Sequence, residues 1–248
     1  MSTREAPEYG QAEKGAWDAE SDGGWICTAF RLAIYGCVQF PLLAVLAMLV
    51  YPGGTPREPH RAGYSFFHNF FSDLGRTLAC NGERNFVAAT LFGTALTATG
   101  LSLAMFFVAF PCLLRGKALP RVLSLVGSVA GVVSGLAFVG VAFSPVNVLP
   151  GLHGQFVLLA FRSFLAASVV NTAAILAHPT YPRVFAWLFA GFALLLTAYI
   201  WLLTGGPRTD TEAGLLIQAT GQKVIAYAAI LCSLIQSLGA RRYRCQRV

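Results

Sequence analysis

Residues 122–144 read VLSLVGSVAGVVSGLAFVGVAFS, a run without a charged residue. At ~1.5 Å per residue it is long enough to cross the ~30 Å hydrocarbon layer as a helix. It does not alternate as a membrane-barrel strand would. Runs of similar length lie on either side, at Leu32–Tyr51, Phe86–Phe110, Phe156–Ala177, Val184–Thr204 and Leu215–Leu238. Lipid offers a backbone no hydrogen-bond partners, so helices are the expected conformation. Composition agrees: 56% of the residues are hydrophobic and 12% charged, about half the ~25% usual in soluble domains. The expected fold class is all-α, a polytopic bundle of six transmembrane helices with a short interfacial helix in the first extracytoplasmic loop.

Three zones follow: a disordered acidic tail over 1–24, the membrane domain over 25–240 and a basic tail over 241–248. The first apolar run is too long for the core of a signal peptide and reads as a retained anchor. Short loops rich in Lys and Arg stay in the cytoplasm. With the N-terminus inside, ten bases (Arg4, Lys14, Arg115, Lys117, Arg121, Arg183, Arg241, Arg242, Arg244, Arg247) face in. Five (Arg57, Arg61, Arg76, Arg84, Arg208) face out. The expectation is a multi-pass protein of the cell membrane with both termini cytoplasmic. The terminal RRYRCQR directly follows a span and suits anionic membrane lipids, not nucleic acid. Of the cysteines, Cys27, Cys112 and Cys245 fall near the inner side, Cys37 and Cys232 within spans, and Cys80 outside. That distribution predicts no structural disulfide.

Helices associate in lipid through small residues. Gly127, Gly131 and Gly135 form such a stripe in the third span. Thr90, Gly93, Thr94, Thr97 and Gly100 form another in the second, and both predict helix–helix contacts. Pro41 predicts a kink in the first span.

No acid falls inside a span, but Arg162 and Lys223 do. An arginine near the bilayer centre costs at least ~2.5 kcal/mol, so both cations call for a partner. Gln155 stands seven residues before Arg162, on the same helical face, and Gln218 and Gln222 accompany Lys223. The counter-charge is expected from residues 64–77, YSFFHNFFSDLGRT. Read as a short amphipathic helix ended by Gly75, it lines Tyr64, Phe67 and Phe71 on one side and pairs His68 with Ser72, and Asn69 with Asp73, on another. The expectation is a lid over the outer mouth of the bundle that points Asp73 at Arg162 or Lys223. The second outer element, FSPVNVLPGLHGQF over 143–156, is a rigid turn carrying Asn147 and His153. His68, Asp73 and His153 are of metal-ligating type, but no HExxH or HxxxH spacing joins them, and no metal or other cofactor is assigned from the sequence.

NFFSDLGRT after the first span and VGVAFSPVNVLPGLHGQFVLLAF bridging the third and fourth carry a resemblance. Through Ser72, Asp73, Leu74, Gly75, Pro145 and His153 the chain resembles the prokaryotic membrane-protein family catalogued as domain-of-unknown-function 998, over most of residues 30–238. That family is in turn distantly similar to the six-helix Frag/DRAM/Sfk group. Asn147 stands where relatives often carry an acid. The resemblance implies the six-helix architecture and brings no established activity.

Three function classes remain. A binding module would hold a lipid head group or anionic amphiphile on Arg162, Lys223, Asp73, Gln155 and Gln222, with membrane lipids as partners. An intramembrane hydrolase, with or without a metal, would use Asp73, His68, His153 and Ser72. A transporter would need a polar path, and the inner halves of the spans offer only isolated groups such as Asn171 and Gln236.

Overall fold

The structure, a computed structural model, describes residues 9–245, with side chains from Gly24 onward. Helix α1 runs Tyr9–Leu49 and a single turn, α2, covers Phe71–Leu74. Then come α3 (Phe86–Ala109, prolonged by a 3-10 turn at Phe110–Leu113), α4 (Ala118–Ala142), α5 (Pro150–Ala177), α6 (Val184–Gly205) and α7 (Glu212–Cys245). Six of these are long and apolar enough to cross a membrane, the stretch within α1 being Gly24–Leu49. The chain is therefore an all-helical, multi-pass integral membrane protein, and no strand occurs among the described residues.

Several boundaries lie beyond the apolar runs. Helix α5 starts six residues before Phe156, at Pro150, because a proline whose N–H needs no intrahelical partner suits the first helical position. Helix α7 continues through Arg241–Cys245, so the start of the basic tail is helical. Of the acidic tail, residues 1–8 lie outside the described residues, and from Tyr9 the backbone is helical. Pro41 lies inside α1, which remains helical to Leu49.

Each spanning helix packs on its chain neighbour, and α7 returns to α1, so the bundle is a closed ring. The termini of the ring share one face. The other face carries the loops 50–85, 143–149 and 206–211, and is called the lid face below.

The glycine stripe of α4 makes the expected contacts. Gly131 lies against the Phe107 ring, Gly135 against Gly100 and Ala104 of α3, and Gly127 against Asn171 of α5. A side chain at any of the three would collide with a neighbour, which is how close packing substitutes for a hydrophobic drive in lipid. The stripe on α3 divides. Gly100 touches α4, but Thr90, Gly93, Thr94 and Thr97 line an open lateral groove instead of a helix contact. Helix α4 ends at Ala142, and the turn at Pro145 leaves this upper part of α3 uncovered.

One expectation is overturned: Cys27 and Cys245 form a disulfide, with Cα atoms 6.1 Å apart. Ring closure is the reason, because it sets the start of the spanning stretch of α1 beside the end of α7. Cys37, Cys80, Cys112 and Cys232 are free.

Candidate functional site

The lid is built on Asn69, whose side chain is fully buried. Its Oδ1 accepts the Ser65 N–H at 2.9 Å, and its Nδ2 donates to the Gly54 carbonyl at 2.9 Å and to Asp73 Oδ2 at 3.2 Å. The Asn69 carbonyl goes to Lys223 and the Phe71 N–H to Gln222, main-chain groups a continuous helix would need for itself. The predicted helix across residues 64–75 is consequently one turn, with Phe70 extended before it. Asp73 closes that turn by accepting the Phe70 N–H on Oδ2 at 2.8 Å, the acidic half of a capping box. The Asn69–Asp73 pairing read from spacing is present. The aromatic face is not continuous: Phe71 is buried between Phe40 and Phe92, whereas Phe66 and Phe67 are exposed.

Asparagines also fix the lid's edges. Asn85 donates to the carbonyls of Leu74 and Arg76, both at 2.9 Å, and Asn147 bridges to the backbone and hydroxyl of Thr77 at 3.0 and 2.8 Å. Asn147 stands out in the sequence as a polar group of the 143–156 turn, whereas the buried Asn85 leaves no signal there.

Helix α7 grips the lid from below. Lys223 is 1% exposed, and its Nζ donates to the Asn69 carbonyl and to the Ala219 carbonyl. The rings of Tyr64, Phe66 and Phe71 surround the ammonium at 5.6, 5.3 and 5.5 Å. Desolvated cation–π contacts contribute up to ~2 kcal/mol, and hydrogen bonds to a charged group ~1.5–3 kcal/mol. Together these offset the several kcal/mol lost when an ammonium leaves water. Gln222 accepts the Phe71 N–H at 2.6 Å.

Asp73 is 3% exposed. Arg76 Nη1 lies 3.8 Å from its Oδ1, and Lys223 is an electrostatic neighbour without a direct bond. Burial pushes the carboxyl above the usual carboxylate range; the Phe70 N–H, Asn69, Arg76 and Lys223 pull it partly back. The lid thus supplies a carboxylate near Lys223, but the lysine's own ligand there is a backbone carbonyl.

Arg162 and Gln155 do not join this site. Both are exposed on the outward face of α5, so the cationic pocket expected from Arg162 and Lys223 together is not formed. His68 is also apart. Its Nδ1 pairs with Ser65 Oγ at 3.2 Å, and no group of three metal-ligating side chains exists among the described residues.

His153 is buried, and its Nδ1 meets the Ser144 carbonyl at 2.7 Å. A carbonyl only accepts, so Nδ1 carries the proton and Nε2 is left basic. His153, Ser72 and Gln222 line a void of about 70 Å³ directly under the lid. A second void of about 80 Å³ lies deeper, lined by Cys37, Leu103, Phe106, Phe164, Ser233 and Ser237 among others. Phe40, Leu96, Phe138, Phe161 and Ala226 wall both.

The lateral groove between α3 and α4 is far larger, about 880 Å³. Ala89, Gly93, Thr97, Leu101 and Ala142 line it, and Gly75, Thr77, Leu78 and the exposed Arg84 line its lid end. Ring and lid together define a lidded, polytopic membrane protein. No protein-family model, no curated protein and no solved structure matches the chain.

Proposed function

We propose that the protein binds an anionic membrane amphiphile at the lid face, with the termini face in the cytosol, and that the α3–α4 groove is the binding site. Size together with a basic residue carries this reading, since a second lateral groove, of about 570 Å³ against α6 and α7, is lined by no charged side chain. Ligand sites usually enclose ~300–1,000 Å³; the groove has about 880 Å³ and the voids beneath the lid about 70 and 80 Å³. An acyl chain fits the first and not the others. Ala89, Gly93, Leu101 and Ala142 supply an apolar wall for the chain, and Arg84 stands where a head group would lie. A guanidinium pairs phosphate bidentately. Lys223, committed to the lid, is a latch in this reading, and the cationic role passes from Arg162 and Lys223 to Arg84. The residues behind the proposed kinship with the domain-of-unknown-function 998 family all fall on the lid face, Pro145 on the groove itself.

The test is native mass spectrometry of detergent-purified protein titrated with phosphatidylglycerol and with phosphatidylcholine. Gly93 opens on empty space, since a Cβ there would meet nothing within 4 Å. Gly93→Leu therefore fills the groove without a clash and gains ~1 kcal/mol of helix propensity. Lipid binding is expected to fall at least tenfold with thermal stability kept. Arg84→Gln is expected to remove the preference for phosphatidylglycerol alone. Unchanged binding in both variants refutes the site.

A second reading, an intramembrane hydrolase, is favoured by one observation: Ser72 and His153, whose Nδ1 is held by the Ser144 carbonyl, line the same void. Release of fatty acid from a bound ester lipid, lost in Ser72→Ala while binding persists, would select it.

A further inference from the structure

The ring of helices has one covalent closure, the Cys27–Cys245 bond between α1 and α7. The basic loops place that face in the cytosol, a compartment that ordinarily keeps thiols reduced. Bond and compartment agree if the bond is made and broken in use. We propose that Cys27–Cys245 is a reversible redox staple governing the α1–α7 seam, independently of the groove reading. The reaction is thiol–disulfide exchange. A thiolate of one cysteine attacks a small-molecule or protein disulfide, the second displaces the mixed disulfide, and two partner thiols leave. The two cysteine protons end on the two departing partner sulfurs, the cysteine pair is oxidised and the partner disulfide is reduced. Reduction by a dithiol runs the same steps backwards.

The seam is what the staple acts on. Six residues beyond Cys27, Ala33 of α1 begins the wall of the deeper void, followed by Cys37 and Phe40. Across the seam α7 contributes Ala226, Ala229, Ile230, Ser233 and Ser237 to the same wall. At ~1.5 Å per residue, the bond lies about 9–12 Å along the helices from the void's nearest residues. Noncovalent contacts anchor the end of α7 elsewhere. Tyr243 packs edge-to-face on Tyr181 at 4.8 Å and its hydroxyl meets Thr180 Oγ1 at 3.0 Å, and Gln236 Nε2 donates to the Phe185 carbonyl at 2.8 Å. These hold α7 to the first turn of α6 and to the turn before it. Small residues on the α1 side, Ala29, Ala33 and Cys37, let α7 approach closely, and the bond fixes that approach at the termini end of the seam. Opening the staple therefore frees the termini end of the seam whose two sides form part of the void's wall. Cys37, which lines that void and is buried, reports the change.

Two measurements test the proposal. Cells are quenched with N-ethylmaleimide after treatment with diamide, with dithiothreitol or with buffer, and the Cys27–Cys245 pair is scored by peptide mass spectrometry. A shift from mostly bonded to mostly alkylated across these conditions is expected. A pair that stays bonded under dithiothreitol in intact cells, or never bonds under diamide, overturns the proposal. In purified protein, the rate of Cys37 alkylation by a membrane-permeant maleimide is followed with and without reductant, and in Cys27→Ser. Cys80, in the lid, serves as the internal control. Reduction and Cys27→Ser are each expected to speed Cys37 labelling at least tenfold with Cys80 unchanged. Equal Cys37 rates in oxidised and reduced wild-type protein overturn the gating role even if the variant misfolds.

Discussion

Replacing Asn69 by alanine isolates what holds the lid. The side chain makes three hydrogen bonds in a fully buried position, to Ser65 N–H, the Gly54 carbonyl and Asp73 Oδ2. Each contributes ~1 kcal/mol net, so their sum is about 3 kcal/mol. The orphaned Ser65 N–H and Gly54 carbonyl add ~1–3 kcal/mol apiece where water cannot reach them. Alanine leaves room for a water, so the expected cost is about 3–5 kcal/mol, nearer the lower end. The loss falls on the lid and not on the ring, because all three partners belong to the 50–85 loop. It should therefore appear as local opening. At 1.36 kcal/mol per decade, lid opening becomes about 10²–10³ times more frequent. Hydrogen exchange read by mass spectrometry is the assay. Amides in residues 64–75 should lose protection by that factor while peptides from α4 and α5 keep theirs. Unchanged lid protection, or equal loss throughout the bundle, would refute the view that Asn69 organises a separable lid.

Two further expectations follow from the same geometry. The folded state binds the Asp73 proton more tightly than the unfolded chain does, because burial raises the carboxyl. Its contribution is full below the ordinary carboxylate value and disappears as pH rises through the raised one, so stability falls with pH across that window. Melting temperatures measured against pH should show this slope in the wild type and lose it in Asp73→Asn. Gly131→Ala drives a methyl into the Phe107 ring. Overpacking of this kind costs ~1–3 kcal/mol, visible as a lower melting temperature, and Phe107→Leu on the same background should recover part of it.

The spans were legible because a hydrocarbon crossing needs long uncharged runs whatever the packing. Which way each helix faces was less so. Arg162 reads as a buried cation only if position along the span is considered. Around the helix, Ala160, Ala167, Ser168, Asn171 and Ala174 mark the buried face of α5. Arg162 lies ~200° from Ala160 at 3.6 residues per turn, on the outward side. The small residues held that information in a helix apolar all round. Lys223 was legible as a cation needing a partner, and the partner came from the expected loop. A carbonyl rather than the carboxylate fills the role, because residue patterns report side chains and are silent about where main-chain oxygens converge. The Cys27–Cys245 bond spans 218 residues and could not be seen before the ring was known to close.

Beside the aromatic contacts, helix α7 holds the lid by two main-chain atoms: Gln222 takes the N–H of Phe71, and Lys223 reaches the carbonyl of Asn69. Every amino acid but proline offers both groups. Lid side chains outside these contacts, such as the exposed Phe67, can thus drift over evolutionary time, retuning what the lid face presents to its surroundings, while the handle that α7 holds survives each exchange. Proline at position 71 is the exception, since it alone removes the N–H that Gln222 binds.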